Sequence, residues 1–231
     1  MTFNHFDAAV RTNEFWTLPI ERINQNLERN QQKDMLQRPG ISAIVGCPLP
    51  QALVESMTIA QKAVDRTLAA HGSSATIEWR KQPEAFHFSV YGLLTPGDYG
   101  ADAWPLRESQ ISCLEEALHA VGTFTLDLQG IGVLGMGSVS IRVSDSPKLE
   151  ELRDAISSIT GFSQEKFGSR TKKITLGRLR PGLSASDRLA VKATCESLQG
   201  FTIGSLTIDH LAIVHYQNTF MDEQYDKIII R

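Results

Sequence analysis

Two short segments of the chain each carry a basic residue and a hydroxyl residue two positions apart: His87-Phe88-Ser89-Val90 and Lys173-Ile174-Thr175-Leu176. In a strand alternate side chains share a face, so His87 points with Ser89, and Lys173 with Thr175. Phe86, Phe88 and Val90, and likewise Ile174 and Leu176, then form an apolar opposite face to pack under helices, with Lys172 where the second strand begins. One copy lies in each half of the chain. Brought side by side, two nitrogen bases and two hydroxyls suit a phosphate: the hydroxyls donate to non-bridging oxygens while the bases move protons or neutralise charge. By the same alternation Tyr91 shares the face of His87, where its ring can stack on a base. Lys166, Arg170, Lys172, Lys173, Arg178 and Arg180 form either a solvated basic face or a positive rim for RNA ends and nucleotides. His215 and Tyr216 are further candidates for the wall of the cleft.

Other chemistries fare less well. Gly130-Ile131-Gly132-Val133-Leu134-Gly135 spells a dinucleotide fingerprint, but that site needs a following helix to receive the pyrophosphate, and Met136–Val143 reads as a strand. The glycines are expected to form a flexible loop between two strands, beside a ligand. Cys47, Cys113 and Cys195 are odd in number and far apart, which argues against a disulfide framework or a zinc site and for buried reduced thiols. Histidines 5, 71, 87, 119, 210 and 215 form no metal-binding spacing. His210 and His215, read on one strand, fall on opposite faces. No metal and no cofactor is expected.

The elements that must hold the two segments alternate regularly. Ile41–Val45 reads as a strand, and Gln51 to His71 as a helix with Leu53, Met57, Ala60, Val64 and Leu68 on one stripe. Thr76–Trp79 and Ala85–Leu94 are extended, Ser109–Val121 is helical, and Phe124–Leu128 and Ser138–Val143 are strands. The second half repeats the pattern: a helix from Ser146-Pro147 to about Ile159, a strand over Lys172–Leu179, a helix capped by Ser186-Asp187, and strands over Ser205–His215 and Lys227–Ile230. Two comparable halves of this kind predict an α+β fold with a central sheet and outer helices. Residues 1–39 are an extension with Ile20, Ile23 and Leu27 at helical spacing. It serves as a cap, a self-contact or a partner-binding helix, and its plainest reading is a helix packed on its own domain, residues 40–231.

Composition sets the frame. Lys+Arg total 23 against Asp+Glu 26, a net charge of −3, which excludes a generally basic nucleic-acid-coating protein but not one local basic cleft. No apolar run approaches the roughly 18 residues of a membrane span, and the amino terminus lacks a signal-peptide layout, so a cytoplasmic chain with no membrane partner is expected.

At its two strand segments the chain resembles the two-histidine (2H) phosphoesterase superfamily, which includes RNA 2′,3′-cyclic phosphodiesterases and proteins called 2′-5′ RNA ligases. Its mark is a pair of H-x-[ST]-x motifs on inner strands of a bilobal, pseudo-symmetric α+β fold. His87-Phe88-Ser89-Val90 matches the first in full; Lys173-Ile174-Thr175-Leu176 matches the second except that Lys173 stands where histidine is expected. Pro83 to Leu94, Ile174 to Arg178 and the ending Leu211–Val214 with Tyr225 resemble the flanks, so the likeness spans roughly residues 40 to 231. It implies two lobes of antiparallel sheet with outer helices around a cleft. It also implies metal-independent hydrolysis of a 2′,3′-cyclic phosphate or a related nucleotide or RNA phosphodiester. In that scheme His87 is the acid or base, Ser89 and Thr175 hold the phosphate, and Lys173 stabilises charge, with Tyr91, Arg178, His215 and Tyr216 near the substrate. Lysine is normally a fixed cation unless burial or neighbouring cations depress its pKa. Three readings therefore stay open for Lys173: an electrostatic clamp, a pKa-shifted acid or base, or part of an inactive nucleotide- or RNA-phosphate-binding module.

Overall fold

The structure is a computed structural model that describes residues 16–35, 39–46, 48–82, 86–95, 99–100, 103–134, 137–162, 171–217 and 226–231. Cys47, His5, Pro83, Gly135, Lys166, Arg170 and Tyr225 lie outside the described residues.

Nine strands among the described residues form one antiparallel sheet. They are β1 (Gly40–Gly46), β2 (Ile77–Trp79), β3 (His87–Leu94), β4 (Phe124–Leu134), β5 (Ser138–Val143), β6 (Lys173–Leu179), β7 (Thr202–Ile208), β8 (Leu211–Tyr216) and β9 (Lys227–Ile230). The order is β7-β4-β5-β6-β3-β1-β8-β9, with β2 also on β6. The expected lobes are the two halves of this sheet: β7-β4-β5-β6 and β3-β1-β8-β9. Among the described residues their strands pair at one position, Phe88 with Ile174.

Among the described residues there are five helices: α1 (Ile20–Met35), α2 (Gln51–Ala70), α3 (Glu108–Val121), α4 (Pro147–Ser157) and α5 (Ala185–Ser197). Helices α2 and α5 pack together on the β4 and β7 side, while α3 and α4 pack on β3 and β9. The predicted stripe of α2, Leu53, Met57, Ala60, Val64 and Leu68, is buried throughout, as amphipathic spacing requires. Helix α1 buries Ile23 and Leu27 against its own chain. Asn24 clasps the loop before α5, donating to the Leu183 carbonyl at 2.9 Å and accepting from Gly182 N and Leu183 N at 2.9 Å each. Gly137, at φ 93°, takes a left-handed backbone conformation that favours glycine, and it lies against the Leu27 methyl.

Three expected elements are corrected. The strand from Phe124 continues to Leu134, so Gly130 and Gly132 are strand residues and not a loop. Gly130, at φ 73°, marks the register shift between Gln129 and Ile131, an unpaired extra residue that only a glycine takes easily. The run Ser205–His215 is two strands, because Asp209-His210 turns the chain between β7 and β8; His210 is therefore in the turn and does not share a strand with His215. The last helix starts two residues earlier than expected: Ser184 is its N-cap, and Asp187 is the third helical residue that hydrogen-bonds back to it. Among the thiols, Cys113 is exposed where a buried residue was expected. Cys195 is half-buried, and burial pushes its pKa up to about 11, which makes it unreactive.

Candidate active site at the joint of the half-sheets

Where β3 and β6 pair, Phe88 and Ile174 are fully buried on the helix side. The pleat therefore turns their neighbours, His87 and Ser89 on β3 and Lys173 and Thr175 on β6, to the opposite face, and all four are partly exposed. The four residues singled out by spacing thus share one face at the seam between the lobes.

Two arginines join them. Arg80 follows β2 and is 5% exposed; its N–H donates to the Leu176 carbonyl at 2.9 Å, and its own carbonyl accepts from Gln61 Nε2 of α2 at 2.9 Å. Gln61 also donates to Leu176 O at 3.0 Å, tying α2, the end of β2 and β6 at one point. Arg80 Nη1 lies 3.4 Å from His87 Nδ1. Arg178 is brought to the same face by the register shift of β6 against β5, opposite Ser138 on one side and Glu78 on the other. Burial, together with the charges of Arg178 and Arg80, pushes the Lys173 ammonium down to about 8. On β5, Ser140 and Arg142 stand opposite Thr175 and Lys173. Arg142 lies across Gly132, where a Cβ would be 3.4 Å from its Nε. Beside Ser89, the apolar residues Ile44, Ala212 and Val214 floor the face.

The adjacent Lys172 points the other way. Burial opposes its charge, but hydrogen bonds to Asp145 and Glu150 outweigh that and raise its pKa. Its Nζ is 2.9 Å from Glu150, which also meets the buried Arg153 at 3.2 Å. Arg153 Nε in turn donates to Val90 O at 3.0 Å, steadying β3 next to Ser89.

Three expected contributors are elsewhere. Tyr91 is 3% exposed and belongs to the core: β1 pairs Ile44 with Ser89 and Ala43 with Tyr91, so the extra residue Val90 flips the alternation and turns Tyr91 to the helix side. Its ring presents no open face to a base. His215 and Tyr216 pair with Ile41 and Gly40, at the far end of β1 from Gly46, the partner of His87. Five residues of strand put them at least about 16 Å away. His215 is instead stacked between Tyr99 and Trp104, at ring separations of 5.3 and 5.5 Å, and bonds Tyr99 Oη at 2.8 Å. Tyr216 is buried, and burial raises its pKa against a hydrogen bond from Ser42. Of the basic cluster, Arg180 pairs with Glu78 at 2.8 Å, and Glu78 itself stands opposite Arg178.

Spacing missed Arg80 and Arg142. The alternation Ser138-Ser140-Arg142 along β5 was a usable signal for the second. Arg80 follows a three-residue strand whose partner sequence alone does not reveal.

The α+β sheet of two lobes with helices on its outer face is the fold expected of a 2H phosphoesterase-like chain. Among solved structures the chain is similar to Usb1 from Kluyveromyces marxianus (12% identity, TM-score 0.52, covering 84% of this chain and 98% of that one). It is also similar to E. coli LigT complexed with 3′-AMP (15%, 0.49, 84% and 98%) and to K. marxianus Usb1 with uridine monophosphate (12%, 0.46, 84% and 98%). At such identities the likeness is one of fold. No family model matches the sequence, and neither does any curated protein.

Proposed function

We propose that the protein is a metal-independent, cytoplasmic phosphodiesterase-like hydrolase acting on a 2′,3′-cyclic phosphate or a related nucleotide or RNA-end phosphodiester, with residues 40–231 as its working domain. Ser89 and Thr175 hold phosphate oxygens; His87 and Lys173 serve the reacting oxygens; Arg178 and Arg80 supply further positive charge. The observation that carries this is the seam itself: one residue pair, Phe88 with Ile174, sets both basic–hydroxyl pairs on one face. Excess positive charge suits a reaction in which a monoanionic diester passes through a more highly charged, phosphorane-like state. The fold shared with Usb1 supports the same class.

The test is hydrolysis of the four 2′,3′-cyclic nucleotides and of an RNA ending in a cyclic phosphate, in excess EDTA. The wild type is expected to turn over at least one. His87→Ala should be slower by about 10² or more, the usual weight of a group acting on the reacting atoms. Equal rates for the two proteins refute the assignment.

A second reading is a binding module with no turnover. It is favoured by the close approach of Lys173 to two guanidiniums, a costly arrangement that a bound anion relieves. It predicts calorimetric binding of nucleotides that weakens in Lys173→Ala and no hydrolysis by either protein.

A further inference from the structure

Side chains from the helices stand where the ladder between the lobes would continue. Carried on in antiparallel register from Phe88 and Ile174, β3 and β6 would set Val90 opposite Lys172 on one side and Phe86 opposite Leu176 on the other. The carbonyls at these positions have other donors. Leu176 O accepts from Arg80 N at 2.9 Å and from Gln61 Nε2 of α2 at 3.0 Å. Val90 O accepts from Arg153 Nε of α4 at 3.0 Å.

The Val90 side is bridged by charge. Arg153 Nη1 meets Glu150 Oε1 at 3.2 Å, and the same oxygen meets Lys172 Nζ at 2.9 Å. A continuous path therefore runs from the β3 backbone beside Ser89, through guanidinium, carboxylate and ammonium, to the residue before Lys173. Each member is held in place. Glu150 sits in the first turn of α4, where a carboxylate suits the helix N-terminus. Arg153 lies one turn further on and is 2% exposed. Lys172 is fixed through its backbone, its carbonyl accepting from Val143 N at 3.0 Å. Asp145, in the loop before α4, pairs with the same ammonium but forms no part of the path to β3.

We propose that Glu150, Arg153 and Lys172 are positioning residues of the active site: their ionic path stands in for the ladder between the lobes and fixes how far Ser89 lies from Lys173 and Thr175. The proposal rests on the phosphodiesterase reading. All three act from the helix side, beneath the face that carries the chemistry, and none touches substrate. A phosphate held by one hydroxyl from each lobe is sensitive to that spacing, because a displacement of about 1 Å at a reacting centre can cost 10²-fold in rate.

The test is steady-state hydrolysis of uridine 2′,3′-cyclic phosphate by single and paired variants. Lys172→Met leaves Glu150 and Arg153 paired, so it cuts the path without disturbing the buried guanidinium; kcat should fall about tenfold or more while KM stays within about threefold. Lys172→Arg, which keeps a cation within reach of Glu150, should recover most of that loss. Adding Glu150→Gln to Lys172→Met should cost little more, since one path is cut only once. Asp145→Asn removes the other, more exposed partner of Lys172 and should leave kcat within about twofold. Equal losses in Asp145→Asn and Lys172→Met, additive losses in the paired variant, or a raised KM at unchanged kcat overturn the positioning role.

Amide exchange at Phe88 and Ile174 reads the seam without any substrate. It should quicken at least about tenfold in Lys172→Met and keep the wild-type rate in Asp145→Asn. A wild type that turns over nothing refutes the phosphodiesterase reading and with it the catalytic purpose of the path. Unchanged exchange in Lys172→Met refutes the path itself, whether or not the protein is an enzyme.

Discussion

At the scale of single residues, Lys173 carries a measurable mark of its surroundings. Its pKa falls from the ordinary 10.5 to about 8 in the folded state. Between those values the unfolded chain keeps a proton that the folded protein has released, so folding stability rises with pH across that window. Urea unfolding should show the rise in the wild type and its loss in Lys173→Met, a variant that is also more stable at neutral pH because a confined charge is gone. Asp187 behaves in the opposite sense. Hydrogen bonds from Ser184, and then from Ser73 and Ser74, hold its carboxyl well below the usual range despite burial. That stability is present above the normal carboxylate pKa and is lost in acid. Asp187→Asn should cost about 1–3 kcal/mol by urea titration at neutral pH, through the cap of α5 and the anchored Ser73-Ser74 loop. The four motif residues were legible in the sequence because strand alternation depends only on neighbours. Arg80 was not, since its place is set by where a three-residue strand pairs and by Gln61 from a distant helix.

At the scale of elements, register decided what spacing left wrong. Two extra residues, Val90 in β3 and Gly130 in β4, each interrupt a ladder. The first takes Tyr91 out of the cleft; the second lets β4 run on through a glycine pattern that reads as a loop. Neither shift leaves a trace in hydrophobic periodicity, because it depends on the partner strand. The longer elements were legible since α2 and α3 bury the apolar stripes that their sequences display. The buried Arg153 of α4 belongs to this scale, as its bond to Val90 O braces β3 beside the first interruption. Arg153→Met should destabilise the fold by about 1–3 kcal/mol, through one buried carbonyl left without its donor. In amide exchange, Tyr91 and Gly92 are expected to lose protection before the distant β7 does.

At the scale of the molecule, the net charge of −3 says little about the ligand, because the site gathers Arg80, Lys173 and Arg178 on one face. Nucleotide binding should therefore weaken as salt is raised from about 50 to 200 mM, with a smaller salt slope in Arg178→Gln; calorimetry at three salt concentrations reads both. The described part of the extension closes onto its own chain through Asn24, Ile23 and Leu27, the plainest of the roles its pattern allowed. Among the described residues no helix is long and apolar enough to cross a membrane, and no cluster of histidine, cysteine and carboxylate side chains could hold a metal ion.

The lone Phe88–Ile174 pair also makes the two half-sheets a zip fastened by one tooth. A phosphate gripped by Ser89 from one side and Thr175 from the other would act as a second fastener on the open face, stitching the lobes together. Substrate would then be part of the wall that holds it, and an empty site would be the loosest point of an otherwise continuous sheet.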